Sequence, residues 1–250
     1  MRRPLPGTKN REHGELYLRK FRELADLSPE EAVLEPGCGT GRMAAPLTRY
    51  LTTGSYDGFD VVREAIEWCQ KNIVHPNFTF RHVDVRNRMY NPHGRLDPAR
   101  FKFPYRGGSF DFAFLTSVFT HMLPTDVRHY LNEIRRVLRP GGRCLMTFFV
   151  LNDASLESAR AGNASRSFAH EGDGYFYDVR EHPEGAVAYR EENILAFLDR
   201  AGFQPQTIHY GRWSGRRSDV GQDIVVATRG RLPPSPGRWL ELARDAIRAS

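Results

Sequence analysis

Cysteine is scarce in this sequence, which has three cysteines in 250 residues. Cys38, Cys69 and Cys144 lie far apart along the chain. They therefore form neither a disulfide framework nor the close spacing that is typical of metal ligands. We expect free thiols and a cytoplasmic protein, because the cytoplasm keeps thiols reduced.

The sequence also lacks a long apolar run and a basic stripe. No stretch approaches the roughly 20 apolar residues of a membrane span, and no apolar segment follows the first arginines as in a signal peptide. The net charge is +6, but its basic excess lies in residues 1–22 and 229–250. Such tails are more typical of solubilising segments than of nucleic-acid contacts. We expect no nucleic-acid or membrane partner, and a monomer or homodimer.

A glycine-rich turn directly follows an apolar strand. In residues 33–42 the strand ends in Glu35 and is followed by three alternating glycines, Gly37, Gly39 and Gly41. Glycine lets the backbone approach a ligand closely in a tight strand-to-helix turn. A dinucleotide fingerprint has its third glycine five places after the first and binds pyrophosphate, but Arg42 occupies that place here. The charge of Glu35 also disfavours a pyrophosphate. The turn predicts a nucleoside pocket, with a nicotinamide site as the alternative.

Apolar segments alternate with segments of helical periodicity along most of the chain. Strands are predicted over residues 32–35, 56–60, 78–82, 110–116, 143–150, 203–210 and 222–228, and helices over 9–27, 40–51, 62–73, 125–138 and 191–201. Alternation of strands and helices indicates a parallel sheet. We expect an α/β fold with a doubly wound, mostly parallel seven-stranded sheet, an antiparallel last strand and helices on both faces.

Two segments interrupt this alternation. Residues 85–109 contain many turn-forming pairs, and residues 151–186 are polar with interleaved aromatics. Long loops often carry function, so both are predicted to be insertions beside a binding site, the second a lid after strand five. We expect a single domain over residues 1–230, followed by a Pro-rich linker and tail over 231–250.

Two more carboxylates follow predicted strands. Asp60 ends the second strand, where a carboxylate can accept hydrogen bonds from both hydroxyls of a ribose. The alternative role is a cap of the following helix. Asp84, just after the third strand, is the corresponding candidate for an adenine amino group.

These motifs resemble those of the class I S-adenosylmethionine-dependent methyltransferases. The turn after Glu35 is similar to the family's motif I, and residues 110–122 with 130–142 look like its strand-four and strand-five signature. The resemblance spans residues 32–150 and, more weakly, 202–228. It implies a Rossmann-like fold, with S-adenosyl-L-methionine as cofactor and S-adenosyl-L-homocysteine as product. The cofactor-binding residues that it implies are Glu35, Gly37, Cys38, Gly39, Gly41, Asp60, Val61, Asp84, Val85, Thr116 and Ser117.

A catalytic base is expected beside this pocket. The sulfonium makes the methyl group electrophilic, so such an enzyme mainly aligns the acceptor with it. An alcohol is a weak nucleophile at neutral pH, and a base that removes its proton adds about 10² to 10⁴-fold in rate. His121 follows strand four at the carboxyl edge of the sheet and is predicted to be this base. The alternative is a packing or capping role near the helix that begins around Thr125.

An aromatic and cationic acceptor wall is predicted from two later segments. Its members are His170, Tyr175 and Tyr177 of the second insertion, with Trp213 and Arg216 before the last strand. The alternative is that these side chains anchor their loops. Strand four ends without the carboxylate that metal-dependent members of the catechol type carry, so no metal is expected.

The expected function is methyl transfer from S-adenosylmethionine to a hydroxyl of a small molecule. Residues 88–94 and 211–224 are similar to methyltransferases found beside glycan or natural-product assembly enzymes, which implies a sugar or phenolic natural product in a biosynthetic pathway. Nitrogen or carbon acceptors remain open. So do a nicotinamide-dependent oxidoreductase, which Glu35 and Arg42 disfavour, and a cofactor-binding protein without catalysis.

Overall fold

A computed structural model describes residues 8–230 of the chain. The predicted linker and tail over 231–250 lie outside the described residues. Within 8–230, the helices are α1 Thr8–Ala25, α2 Ala44–Tyr50, α3 Arg63–Asn72, α4 Pro124–Val137, α5 Asp153–Arg160 and α6 Glu191–Arg200. The strands are β1 Ala32–Pro36, β2 Ser55–Asp60, β3 Phe78–His82, β4 Phe110–Leu115, β5 Leu138–Phe148, β6 Val150–Leu151, β7 His170–Gly172, β8 Tyr175–Tyr177, β9 Val187–Arg190, β10 Phe203–His209 and β11 Asp223–Arg229.

The main sheet has seven strands in the order β10-β11-β5-β4-β1-β2-β3. Strands β1 to β5 pair in parallel, whereas β11 runs antiparallel to both β5 and β10. The order reverses between β1 and β4, which places a switch point at their carboxyl ends. The fold prediction is therefore confirmed, including the antiparallel last strand.

Helices cover both faces of this sheet because its strands alternate apolar side chains between two cores. Val33 and Phe114 pack with α1, α2 and α3 on one face, and their neighbours Leu34 and Leu115 pack with α4 and α6 on the other. All four side chains are fully buried. Strands buried on both faces explain the continuous apolar runs in the sequence. Within residues 8–230, no helix is long and apolar enough to cross a membrane.

Two element boundaries differ from the predictions for backbone reasons. Helix α2 begins at Ala44 rather than at residue 40, because Gly41 has a φ of +68° that a right-handed helix does not allow. Strand β5 begins at Leu138 rather than at residue 143. A register irregularity between Phe110 and Phe112 of β4 accommodates this extension.

The second insertion forms structure of its own that the sequence patterns did not predict. A small sheet in the order β6-β9-β8-β7 joins β6, which precedes α5, to three strands that follow it. Its strands have two to four residues, too few for hydrophobic periodicity to be detected. Asn152 caps α5 with a reciprocal hydrogen-bonded box to Ser155.

The first insertion is held against α4 by a partly buried ion pair. Glu133 accepts hydrogen bonds from Arg136 Nη2 at 2.6 Å and from the backbone N–H of Phe103 at 2.7 Å. Arg136 also donates to the carbonyls of Phe103 and Tyr105, at 3.0 and 2.7 Å. These contacts attach the end of the 85–109 loop, at Phe103 and Tyr105, to α4.

Candidate functional site

A cavity of about 830 Å³ lies at the carboxyl ends of β1, β2 and β4. Ligands of open α/β sheets bind at this edge, beside the switch point, and the volume is typical of small-molecule sites. The predicted residues that line it are Glu35, Gly37, Cys38, Gly39, Asp60, Val61, Val85, Thr116, Ser117 and His121.

The glycine turn forms one wall of this cavity. The N–H groups of Gly37 and Cys38 both donate to the carbonyl of Phe59, at 2.7 and 3.1 Å, which ties the turn to β2. Gly37 has a φ of +79°, and a Cβ atom there would lie 2.6 Å from Val118 Cγ2. Glycine is therefore required both by backbone conformation and by the close approach of the segment after β4.

Asp60 joins the end of β2 to the glycine turn. Its Oδ2 accepts from the N–H of Gly39 at 2.7 Å, and its Oδ1 accepts from the N–H of Val62 at 2.9 Å. Val62 is the N-cap residue of α3 and makes no side-chain cap, so Asp60 braces the turn rather than capping the helix in the usual way. A carboxylate has about four lone-pair directions. Two remain for ligand hydroxyls, and the residue lines the cavity.

Glu35 places a buried carboxyl on the same wall. It is 1% exposed and accepts a hydrogen bond from the Tyr56 hydroxyl. Burial raises the pKa of Glu35 well above its ordinary value, although the Tyr56 hydrogen bond and Arg42 oppose that shift. A cationic ligand group would stabilise the ionised form. This wall therefore fits a ligand with a ribose and a positively charged end, such as S-adenosylmethionine. The three features that fit it are the glycine turn, Asp60 and Glu35.

The opposite side of the cavity contains His121, in the 3₁₀ turn Phe119–His121. Its Nδ1 lies 2.9 Å from the carbonyl oxygen of Glu184. A carbonyl oxygen only accepts, so Nδ1 carries the proton, and Nε2 holds the lone pair of the neutral ring. The Tyr90 ring contacts His121 edge-on, with centroids 6.2 Å apart.

Carboxylates concentrate at this end of the cavity. Asp97, Asp126 and Glu184 line it, and Glu184 forms an ion pair with Arg88 at 3.2 Å. Burial, followed by the charges of Glu184 and Asp97, raises the pKa of Asp126 to about 6. The end of the cavity that contains His121 therefore also contains several carboxyl groups.

Asp84 does not line the described cavity, and its contact with an adenine stays a prediction. Its carboxylate accepts from Arg95 Nε at 2.7 Å and from Asn91 Nδ2 at 3.2 Å, and these hydrogen bonds lower the pKa of Asp84. Asp84 therefore folds the first insertion back on itself. Gly41 also lies off the cavity wall, and a Cβ there would meet Ile73 Cδ1 at 2.3 Å.

None of the five residues of the predicted acceptor wall lines the cavity, and their contact with an acceptor stays a prediction. Trp213 is buried between Phe149 and Phe168, and its Nε1 donates to Asp223 at 2.6 Å. The guanidinium of Arg216 lies 3.9 Å from the centre of the Tyr210 ring and donates to Asn152 at 3.1 Å. The other three members, His170, Tyr175 and Tyr177, belong to the β7–β8 hairpin and contact one another. In the structure, these contacts of the five side chains lie within the second insertion and the segments next to it.

Several cavity residues were missed by the sequence analysis. Arg42, Tyr90, Asp126, Tyr130 and Glu184 line the wall without having been predicted. Asp126 had a usable signal, since it opens the helix just after His121. Glu184 had none, because its position depends on how the second insertion folds. Within residues 8–230, no group of three or more His, Cys, Asp or Glu residues could hold a metal ion.

Comparison with known proteins agrees with this geometry. Residues 34–146 match the family model of a methyltransferase domain. Phthiotriol/phenolphthiotriol dimycocerosates methyltransferase 1 of Mycobacterium ulcerans is 35% identical over 138 residues, covering 55% of this chain and 44% of that protein. This chain therefore spans less than half the length of that curated relative.

Solved structures share the fold at low sequence identity. A methyltransferase dependent on S-adenosylmethionine (SAM) from Methanosarcina mazei has a TM-score of 0.57 and 17% identity, covering 86% of this chain and 97% of the other. Magnesium protoporphyrin IX methyltransferase from Synechocystis, with bound S-adenosylhomocysteine (SAH), has a TM-score of 0.56 and 15% identity, covering 92% and 90%. These likenesses support the Rossmann-like fold that the sequence predicts.

The role of Asp60 is tested by its replacement. We expect Asp60→Ala to weaken SAH binding by more than about tenfold, because a charge-assisted hydrogen bond contributes roughly 1.5–3 kcal/mol. Asp57→Ala is the matched control, since Asp57 lies on the same strand but does not line the cavity. Isothermal titration calorimetry with SAH measures both. Equal affinities for the two variants would remove Asp60 from the site.

Glu35→Gln separates stability from ligand binding. The unfolded-state carboxyl ionises near pH 4.5, but burial opposes its ionisation in the folded protein, so Glu35 lowers stability increasingly as the pH rises above that value. We expect the variant to unfold at least about 2 °C higher at pH 8, with a smaller gain at pH 5, and to bind SAH at least about tenfold more weakly. Thermal scans and calorimetry test this. A lower midpoint at pH 8 would contradict it.

Proposed function

We propose that this protein transfers a methyl group from S-adenosylmethionine to a hydroxyl of a small-molecule acceptor, with His121 as general base. The observation that carries the proposal is the hydrogen bond from His121 Nδ1 to the Glu184 carbonyl. It assigns the basic lone pair to Nε2 of a histidine that lines the same cavity as Asp60 and Glu35.

In the proposed reaction, residues at one end of the cavity hold the cofactor and His121 at the other end acts on the acceptor. The bound cofactor supplies a methyl group that is electrophilic because it is attached to a sulfonium. Glu35 and Asp60 orient the donor through its charged and ribose ends. His121 accepts the acceptor's hydroxyl proton at Nε2 as the oxygen attacks, while Nδ1 continues to donate to Glu184. General-base assistance of this kind adds about 10² to 10⁴-fold in rate.

The lining at the acceptor end supports a ring-bearing acceptor without negative charge. Tyr90, Met122, Leu123 and Tyr130 supply aromatic and apolar surface that suits a sugar or aryl ring. The three nearby carboxylates disfavour a carboxylate or phosphate acceptor, although Arg86 and Arg88 also line the cavity. The names of relatives such as the phthiotriol dimycocerosates methyltransferases also favour a small molecule over a macromolecule. A sugar or phenolic natural product, O-methylation in biosynthesis and a cytoplasmic location remain predictions.

A second candidate is methyl transfer to an amine. The carboxylates Asp97, Asp126 and Glu184 would attract an ammonium group, and His121 could remove the proton that an amine must lose before it attacks. The two candidate reactions use the same site and differ in whether the methyl group is transferred to oxygen or to nitrogen.

Turnover against an acceptor panel tests the proposed function. Purified protein with SAM is incubated with matched sugars, phenols, amines and carboxylic acids, and product mass and NMR identify the methylated atom. We expect hydroxyl acceptors to gain a methyl group and carboxylates to be unreactive. Reaction only at nitrogen would favour the second candidate. Calorimetry with SAH and with NAD distinguishes a methyltransferase from an oxidoreductase, and SAH binding with no turnover would favour a non-catalytic protein.

His121→Ala tests the base. We expect kcat to fall by about 10² to 10⁴-fold while SAH affinity stays within about twofold, because the role of His121 is toward the acceptor. His129→Ala is the control: His129 also bonds a backbone carbonyl, that of Phe101 at 2.8 Å, but lies outside the cavity wall. Steady-state kinetics and calorimetry measure the two variants. Undiminished kcat in His121→Ala would refute the role.

A further inference from the structure

One side-chain amide bridges several segments behind the cavity wall. Gln222, just before β11, accepts hydrogen bonds at Oε1 from the hydroxyls of Ser117 at 2.9 Å and Thr147 at 2.7 Å. Its Nε2 donates to Thr120 Oγ1 at 3.4 Å. Thr147 Oγ1 in turn accepts from the N–H of Ser117 at 2.8 Å. We call these four residues, Ser117, Thr120, Thr147 and Gln222, the amide clamp.

The clamp holds a backbone conformation that a non-glycine residue rarely adopts. Ser117 has a φ of +57°, where its Cβ crowds the following carbonyl. Such conformations persist where surrounding interactions enforce them, and they concentrate at functional sites. Thr120 and Thr147 are fully buried, so the hydrogen bonds to Gln222 are sheltered from competing water.

The reversal at Ser117 sets the path of the chain as far as His121. It brings Val118 against Gly37, where the missing Cβ leaves room for it, and it leads directly into the 3₁₀ turn Phe119–His121. Gln222 contacts the segment at both Ser117 and Thr120. The amide clamp therefore spans the residues between the cofactor wall and His121.

We propose that Gln222 is a positioning residue that sets the geometry of the Ser117–His121 segment, and through it both the cofactor wall and the orientation of His121. Gln222 itself does not line the cavity, so it acts only through its partners. This inference rests on the proposed function for the catalytic meaning of His121, but the clamp makes predictions that need no acceptor.

The first test replaces the amide with an apolar side chain of similar size. We expect Gln222→Met to weaken SAH binding about five- to tenfold, because the wall must be ordered at the moment of binding. The fraction of His121 rings protonated at Nδ1, measured by ¹⁵N NMR, should also fall. Gln206→Met is the control, since Gln206 is exposed and its Nε2 donates to the Gln204 carbonyl at 3.2 Å, away from the clamp. It should change neither quantity.

A rescue variant distinguishes positioning from general stability. Ser117→Gly removes the crowding at positive φ, so the double variant Gln222→Met, Ser117→Gly should recover SAH affinity to within about threefold of Ser117→Gly alone. Thr147→Val is a second route if Gln222→Met folds poorly. This variant removes the Thr147 hydroxyl oxygen that accepts from the N–H of Ser117. It should lower the fraction of His121 rings protonated at Nδ1, as Gln222→Met does.

The outcomes separate the two proposals. A lower unfolding midpoint with unchanged SAH affinity and unchanged His121 signals would overturn the clamp and leave Gln222 a structural residue. Failure of the wild-type protein to bind SAH would overturn the proposed function, while the His121 ring signals of the variants would still decide the clamp. Loss of affinity and a changed tautomer together, reversed by Ser117→Gly, support it.

Discussion

The contact between Gly37 and Val118 is the constraint on which the site depends. It brings the turn after β1 and the turn after β4 together at the switch point, with the Val118 side chain packed into the space that a Cβ atom of residue 37 would fill. Glycine on one side and a strained backbone at Ser117 on the other make this approach possible. The arrangement is unfavourable for each turn alone. It persists because Asp60 braces the first turn and Gln222 the second.

The same cavity contains two carboxyl groups whose ionised forms are destabilised by burial. Glu35 is buried with a raised pKa beside the glycine turn, and Asp126 has a pKa raised to about 6 beside His121. Perturbed carboxyls within one cavity are more typical of ligand sites than of structural ion pairs. Burial also raises the pKa of Asp223 to about 6, but Asp223 lies outside the cavity and accepts hydrogen bonds from Val150, Gly211 and Trp213. Asp223 therefore has a structural role, whereas Glu35 and Asp126 face the cavity and can contact a ligand.

Local patterns in the sequence predicted the cofactor half of the site better than the acceptor half. The positions of Gly37, Asp60 and His121 follow from where strands end, because the carboxyl ends of parallel strands share one edge. Asp84 also follows a strand, yet the next loop supplies Arg95 as its partner and turns it away from the wall. Trp213 is drawn into an aromatic cluster that its neighbours in sequence do not reveal. Glu184 depends on a small sheet of very short strands.

The acceptor half is secured by contacts that are separate from the cofactor half. Glu133 and Arg136 anchor the first insertion to α4, Asp84 closes its loop through Arg95, and Arg88 joins it to the second insertion at Glu184. None of these side chains belongs to the glycine turn or to the amide clamp. The Glu184 carbonyl accepts from His121 and so connects the second insertion to the segment after β4. In the proposed reaction, the orientation of the base therefore depends on a backbone atom of the insertion that also lines the acceptor end.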